Sequence, residues 1–189
     1  MEKILGVIGS PRKNGNTHVL VSQILSGAES QGFVREMVFL DDLHIEECIG
    51  CHACWKTGSC VKQDDMNNLY QKIMESQVMV FGTPVYWYGP TALMKGFIDR
   101  FVYYNCPLNR PKIKGKHAII VIPFEEQDMK SVNPVIDFFE ISLNYLEMNI
   151  VGKIIVPGVT LRGEVKDKPE YLEKAYQLGK SIKLSMSCQ

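Results

Sequence analysis

The chain has 189 residues, 46% of them hydrophobic, with 21 Lys and Arg against 21 Asp and Glu and a formal net charge of zero. This composition is globular rather than disordered and long enough to bury a proper core in a single domain, residues 1–189. A long basic stretch is missing, which argues against nucleic acid as a partner, and no apolar run reaches the length of a membrane span.

The first segment, MEKILGVIGS, is too short in apolar residues for a secretory signal and leads straight into a glycine turn, so the expected location is the cytoplasm. Residues 3–9 are apolar and β-branched and read as a buried first strand. Residues 16–30 carry Val19, Leu20, Ile24, Leu25 and Ala28 as a helical stripe. Residues 33–40 read as a second strand. Residues 41–63 show no clear periodicity and hold a cysteine cluster; a loop of that length inside a compact domain is usually functional.

Asp64 or Asp65 caps the next helix, whose stripe is Met66, Leu69, Tyr70, Ile73 and Met74. Residues 78–83 form a third strand without polar alternation, as expected when both faces are covered. An aromatic loop at 84–90 precedes a helical stripe of Leu93, Met94, Phe97, Ile98, Phe101 and Val102. Lys95 and Asp99 are spaced as an i,i+4 pair and, with Arg100, read as structural. Residues 117–123 form a fourth strand. Asn133 and Pro134 fit the cap and first position of a helix running to about residue 147. A fifth strand covers 150–156, and Pro169 opens a final helix. Five buried strands alternating with helices predict an α/β fold, a doubly wound five-stranded parallel sheet with helices on both faces. In such sheets ligands bind beyond the carboxyl ends of the strands, which singles out the loops 9–17, 83–90 and 123–132. The cysteine segment follows the second strand and is expected at the same end.

The first loop reads Gly-Ser-Pro-Arg-Lys-Asn-Gly-Asn-Thr from Gly9 to Thr17. Backbone amides at a helix start, reinforced by hydroxyls and an arginine, make an anion site. The spacing is neither a Walker loop nor a dinucleotide fingerprint, so a lone monophosphate is the better ligand.

The segment ECIGCHACWKTGSC places Cys48, Cys51, Cys54 and Cys60 at C-x2-C-x2-C-x5-C spacing, four of the six cysteines in the chain. In a reducing compartment such a set points to metal or catalysis rather than a disulfide framework. An iron–sulfur cluster is the usual tenant of cysteine-only sites of this kind. Three other readings stay open. Zinc could be bound with His52 nearby. Cys51 and Cys54 could form a redox-active pair. The four thiols could also be reduced and metal-free. Cys106 reads as packing, Cys188 as a terminal residue, and His18, His44 and His117 lack partners at metal-ligand spacing.

GSPRKNGNT followed by TPVYWYGP, MKGFIDR, LRGEV and the final LGKSI resembles the flavodoxin-like NADPH-dependent FMN reductase superfamily along nearly the whole chain. The compact C-x2-C-x2-C with a fourth cysteine after a short gap is most similar to its iron–sulfur flavoprotein branch. The resemblance implies a flavodoxin-like fold and FMN as cofactor. It implies Ser10, Arg12, Asn16 and Thr17 as phosphate ligands, and Thr83, Pro84, Val85, Tyr86, Trp87 and Tyr88 along the flavin ring. It implies Cys48, Cys51, Cys54 and Cys60 as ligands of a [4Fe–4S] cluster exchanging electrons with FMN. No catalytic acid–base residue is expected, because the flavin does the hard chemistry. The implied partners are a ferredoxin-like electron donor or a small-molecule electron acceptor, with NAD(P)H a candidate reductant, and further copies of the chain in a homo-oligomer (dimer or tetramer). Two alternatives remain: an NAD(P)H-dependent FMN, quinone or azo reductase without a cluster, and a non-enzymatic flavodoxin-like electron carrier.

Overall fold

The computed structural model describes residues 1–183; Cys188 lies outside the described residues. Five strands form one parallel sheet: β1 (Lys3–Ile8), β2 (Val34–Phe39), β3 (Val78–Gly82), β4 (His117–Pro123) and β5 (Asn149–Val156). Their order is β2-β1-β3-β4-β5. This is the flavodoxin-like order, in which the chain winds one way from β1 and the other way from β3. The switch point therefore lies between β1 and β3, where the loops after both strands diverge.

The sheet is covered on both faces because its three central strands, β1, β3 and β4, are apolar on both; the edge strands β2 and β5 are only partly buried, so three strands rather than five are fully enclosed. On β1, Ile4 and Ile8 face one core and Leu5 and Val7 the other. The first face is covered by α1 (Asn16–Glu29) and α7 (Pro169–Ser181), the second by α3 (Met66–Glu75), α4 (Ala92–Asp99), α5 (Val102–Asn105) and α6 (Asn133–Tyr145). Burying both faces removes most apolar strand surface from water at about 25 cal/mol per Å². The α1–α7 pair packs backbone to backbone. A Cβ on Gly27 would lie 2.1 Å from the Tyr176 carbonyl oxygen, and one on Gly179 would lie 2.0 Å from that of Ile24.

The elements depart from the sequence reading in three places. The apolar stripe at 93–102 is two helices, α4 and α5, broken at Arg100 and Phe101. Helix α6 has Asn133 inside its first turn with Val132 as cap, because a 3-10 turn at Met129–Ser131 already brings the chain in helically. The cysteine segment carries a short helix, α2 (Ala53–Thr57). Its cap His52 is left-handed at φ 53°, and Gly58 ends it at φ 73°, a conformation glycine adopts without steric cost. Among the described residues no helix is long and apolar enough to cross a membrane.

Candidate functional site

The loop after β1 is wound tight before α1 begins. Ser10 Oγ accepts from the Arg12 N–H at 3.2 Å, and the Gly15 N–H donates to the Arg12 carbonyl at 3.0 Å. A Cβ on Gly9 would sit 2.8 Å from the Met94 Cβ, so glycine lets α4 start against the end of β1. Thr91 joins the two loops at the switch point. Its hydroxyl donates to the Gly9 carbonyl while accepting from the Met94 N–H at 3.2 Å, which caps α4. The Thr91 N–H in turn donates to Thr83 Oγ1 at 3.1 Å.

Ser10, Arg12, Asn16 and Thr17 line one recess at the carboxyl end of the sheet, together with Pro84, Val85 and Tyr86 from the second loop. Pro123, Phe124 and Glu125 contribute from the third loop. The first turn of α1 opens onto this recess, and the free amides of a helix start favour an anion. Of the ring residues implied by resemblance, Thr83 is buried beneath the recess, and Trp87 and Tyr88 lie outside its lining. Tyr86 and Gly89 exchange two backbone hydrogen bonds at 2.9 and 3.1 Å, closing a two-residue hairpin. Trp87 and Tyr88 occupy its tip with φ of 50° and 61°, and Trp87 is 96% exposed. Both central residues are left-handed, the geometry of a type I′ turn that ordinarily takes Asn and Gly.

A fourth wall was not singled out as a ligand loop from the sequence. Residues Val159, Thr160, Leu161 and Arg162, between β5 and α7, close the recess over the first loop. Arg12 Nη1 donates to the Thr160 carbonyl at 3.2 Å and Arg162 Nε to that of Lys13 at 2.8 Å. The Asn16 side chain binds this strap at two points, so its amide holds the wall in place while its backbone starts α1. Glu164 folds the strap on itself by accepting from the Leu161 and Thr160 N–H groups, both at 2.7 Å, and these bonds hold its carboxyl below the usual range. The signal available in sequence was the LRGEV segment, whose partners lie about 150 positions away.

Cys48, Cys51, Cys54 and Cys60 line a second, separate recess. Its walls include Ile49, Val61, Val102, Tyr70, Tyr103 and Arg100. Although the segment leaves β2 at the carboxyl end of the sheet, this recess packs on the flank, against α3 and the α4–α5 junction. That junction lies eight residues, roughly 12 Å, along α4 from its start. The two recesses share no lining residue. Cys54 is buried, Cys48 and Cys60 half-buried, and Cys51 exposed. Burial pushes the Cys54 thiol up, and Cys106, Cys60 and Cys48 push it the same way. Cys106 is fully buried.

Three partly buried contacts dock the cysteine segment. Asn109 Nδ2 donates to the Gly58 carbonyl at 3.1 Å, Arg100 Nη1 to that of Glu46 at 2.8 Å, and Arg100 Nη2 to Cys60 Sγ at 3.4 Å. Among the described residues, no group of three or more His, Cys, Asp or Glu side chains is gathered tightly enough to hold a metal ion. A tetrahedral zinc with bonds of about 2.3 Å would need its sulfurs about 3.8 Å apart. His52 instead packs edge-on against Trp55, with ring centroids 5.6 Å apart.

A parallel sheet in this order, with a tight loop and a helix start at its switch point, defines a flavodoxin-like α/β protein. The NADPH-dependent FMN reductase family matches residues 2–157. An iron-sulfur flavoprotein of Archaeoglobus fulgidus is 36% identical over 180 residues, covering 95% of this chain and 78% of that one. An iron-sulfur flavoprotein of Methanosarcina thermophila is 34% identical over 100 residues, covering 53% of this chain and 52% of that one. The Trp repressor binding protein of Bacillus subtilis superposes with a TM-score of 0.72 at 24% identity, over 93% of this chain and 98% of that one, a likeness of fold. The chain belongs to the NADPH-dependent FMN reductase family, in its iron–sulfur flavoprotein branch, and is an FMN-binding redox enzyme.

Proposed function

We propose that the chain is one FMN-binding domain that passes electrons between FMN and a [4Fe–4S] cluster held by Cys48, Cys51, Cys54 and Cys60. The observation that carries this reading is that all four cysteines line one largely apolar recess. Cysteine-only sites are the usual home of such clusters. Ser10, Arg12, Asn16 and Thr17, with the first amides of α1, would hold the FMN phosphate. Pro84, Val85 and Tyr86 would lie along the ring, Thr83 would support them from below, and Trp87 and Tyr88 would reach it from the hairpin tip. FMN supplies two-electron chemistry with hydride donors or single-electron chemistry, and a [4Fe–4S] cluster supplies single electrons.

Within one chain the two recesses are lined by different residues. A homo-oligomer that brings the cysteine recess of one copy toward the FMN recess of another would complete the electron path. The outer partner would be a ferredoxin-like donor or a small-molecule acceptor.

The test is iron, acid-labile sulfide and FMN analysis of protein purified without air, with a visible spectrum. About four irons and four sulfides per FMN are expected. Cys54→Ala should lose the iron and keep FMN; wild-type iron in that variant would overturn the ligand assignment.

A second reading, NAD(P)H-dependent reduction of a small acceptor without a cluster, is favoured by an FMN recess whose lining includes none of the cysteines. An iron-free protein that rapidly oxidises NADPH or NADH would establish it.

A further inference from the structure

The guanidinium of Arg100 is one of the most enclosed charges in the molecule. Its side chain is 1% exposed, and the carboxylate of Asp64 opposite it is fully buried. The two meet as a fork: Nη1 with Oδ2, and Nη2 with Oδ1 at 3.3 Å. Asp64 is itself held by the N–H groups of Glu46 at 2.9 Å and Met66 at 3.1 Å. Removing two charges from water costs several kcal/mol per ion, so a buried pair of this kind is poor value for stability alone. An apolar pair of equal volume would fill the space between α3 and α4 as well. What the ion pair achieves is direction. With Asp64 fixing the plane of the fork, one N–H of Nη1 reaches the Glu46 carbonyl before the cysteine segment, and Nη2 points at Cys60 Sγ at its end. The arginine also lines the recess of the four cysteines.

We propose that Arg100 is a positioning residue for the cysteine centre: it orients Cys60 Sγ and, through an N–H donated to that sulfur, raises the centre's reduction potential. The inference rests on the iron–sulfur reading above. Hydrogen bonds to ligand sulfur favour the electron-rich form, and outer partners of this kind hold ligands in place. Asp64 offsets much of the arginine's charge, so the pair is a balance with opposite levers at its two ends. Removing the donor disfavours reduction, whereas neutralising Asp64 leaves the positive charge uncompensated beside the sulfur and favours it.

The experiment compares wild type with Arg100→Met, Arg100→Lys and Asp64→Asn, all purified without air. It measures FMN content, iron release to a chelator, and the midpoint potential of the iron–sulfur signal followed by electron paramagnetic resonance. The FMN recess shares no residue with this site, so retained FMN reports folding. In Arg100→Met the reduction equilibrium should fall about tenfold, about 59 mV for one electron, with iron released several-fold faster. Asp64→Asn should move the potential upward. A purely structural pair would loosen the protein in both variants without moving their potentials in opposite directions, and that result would overturn the inference. Should Arg100→Met fail to fold, Arg100→Lys, which keeps the charge but loses the fork, should still release iron several-fold faster. Wild-type potential and release rate in the FMN-loaded Arg100 variants would overturn the inference and leave the cluster standing. Wild-type protein with no iron would remove the cluster itself.

Discussion

Asn16 grips the strap across the recess at the switch point through Val165, accepting from its N–H at 3.0 Å, and the same side chain donates to the Leu161 carbonyl at 2.9 Å. Both ends of one amide are thus committed to a loop about 150 residues away. Asn16→Ala should release the strap and weaken FMN binding about tenfold, or 1.4 kcal/mol. Asn16→Asp, which keeps the acceptor and loses the donor, should fall between. Titration of flavin fluorescence into apoprotein checks both. Equal affinity in wild type and Asn16→Ala would show that the strap is held without this residue.

His18 gives the same loop a pH dependence. Its Nδ1 accepts from the Asn14 N–H at 3.0 Å where Asn14 turns left-handed at φ 58°, and its ring lies edge-on to Phe39. Burial holds its pKa below the usual histidine range. The unfolded histidine therefore takes up its proton first. The stability from neutral His18 is complete above about pH 6.5 and drains away as pH falls through the lower folded value. His18→Asn retains an acceptor that does not titrate. Thermal midpoints of FMN-free protein from about pH 8 to about pH 5 should diverge, wild type falling faster. Parallel curves would assign the loss to other groups.

The hairpin tip stores strain. Trp87 and Tyr88 both hold φ above 50° or at it, at a cost on the order of 1–3 kcal/mol per residue. Tyr88→Gly should stabilise the protein by about 1 kcal/mol, because glycine enters that region freely. If the exposed aromatics meet the flavin, the same variant should also slow turnover with NADPH. A stabilised protein with unchanged turnover would confine the tip to a structural role.

Gly179 fixes the approach of α7 to α1. A methyl group there would meet the Ile24 carbonyl oxygen at 2.0 Å and the Ala28 nitrogen at 3.0 Å, backbone that cannot swing aside. Gly179→Ala should cost about 3 kcal/mol as the helices separate. A urea midpoint that drops with little change in slope would show it. A loss below about 0.5 kcal/mol would mean the helix pair slides freely.

The alternating β-α pattern was readable because strands buried on both faces are uniformly apolar, as in the fully buried run Val78 to Gly82. The tight loop after β1 was readable from its Gly, Ser and Asn content. The strap at 159–165 was not, since it has no period and its partners Arg12 and Asn16 are far away in sequence. Lys95 and Asp99 do pair across one helical turn at 2.5 Å, a local rule. Arg100, the next residue, obeys no local rule: it turns inward to Asp64, 36 positions earlier.

Sequence alone determined the buried central strands, the tight turn after β1 and the spacing of the four cysteines, because these depend on periodicity and backbone geometry within a few residues. Tertiary structure decided the rest. It placed the cysteine recess on the flank against the α4–α5 junction, kept its lining apart from that of the switch-point recess, and aimed the Arg100 fork at Cys60. Those outcomes depend on which distant surfaces bury one another, and only packing of the whole sheet and its two helical layers settles that.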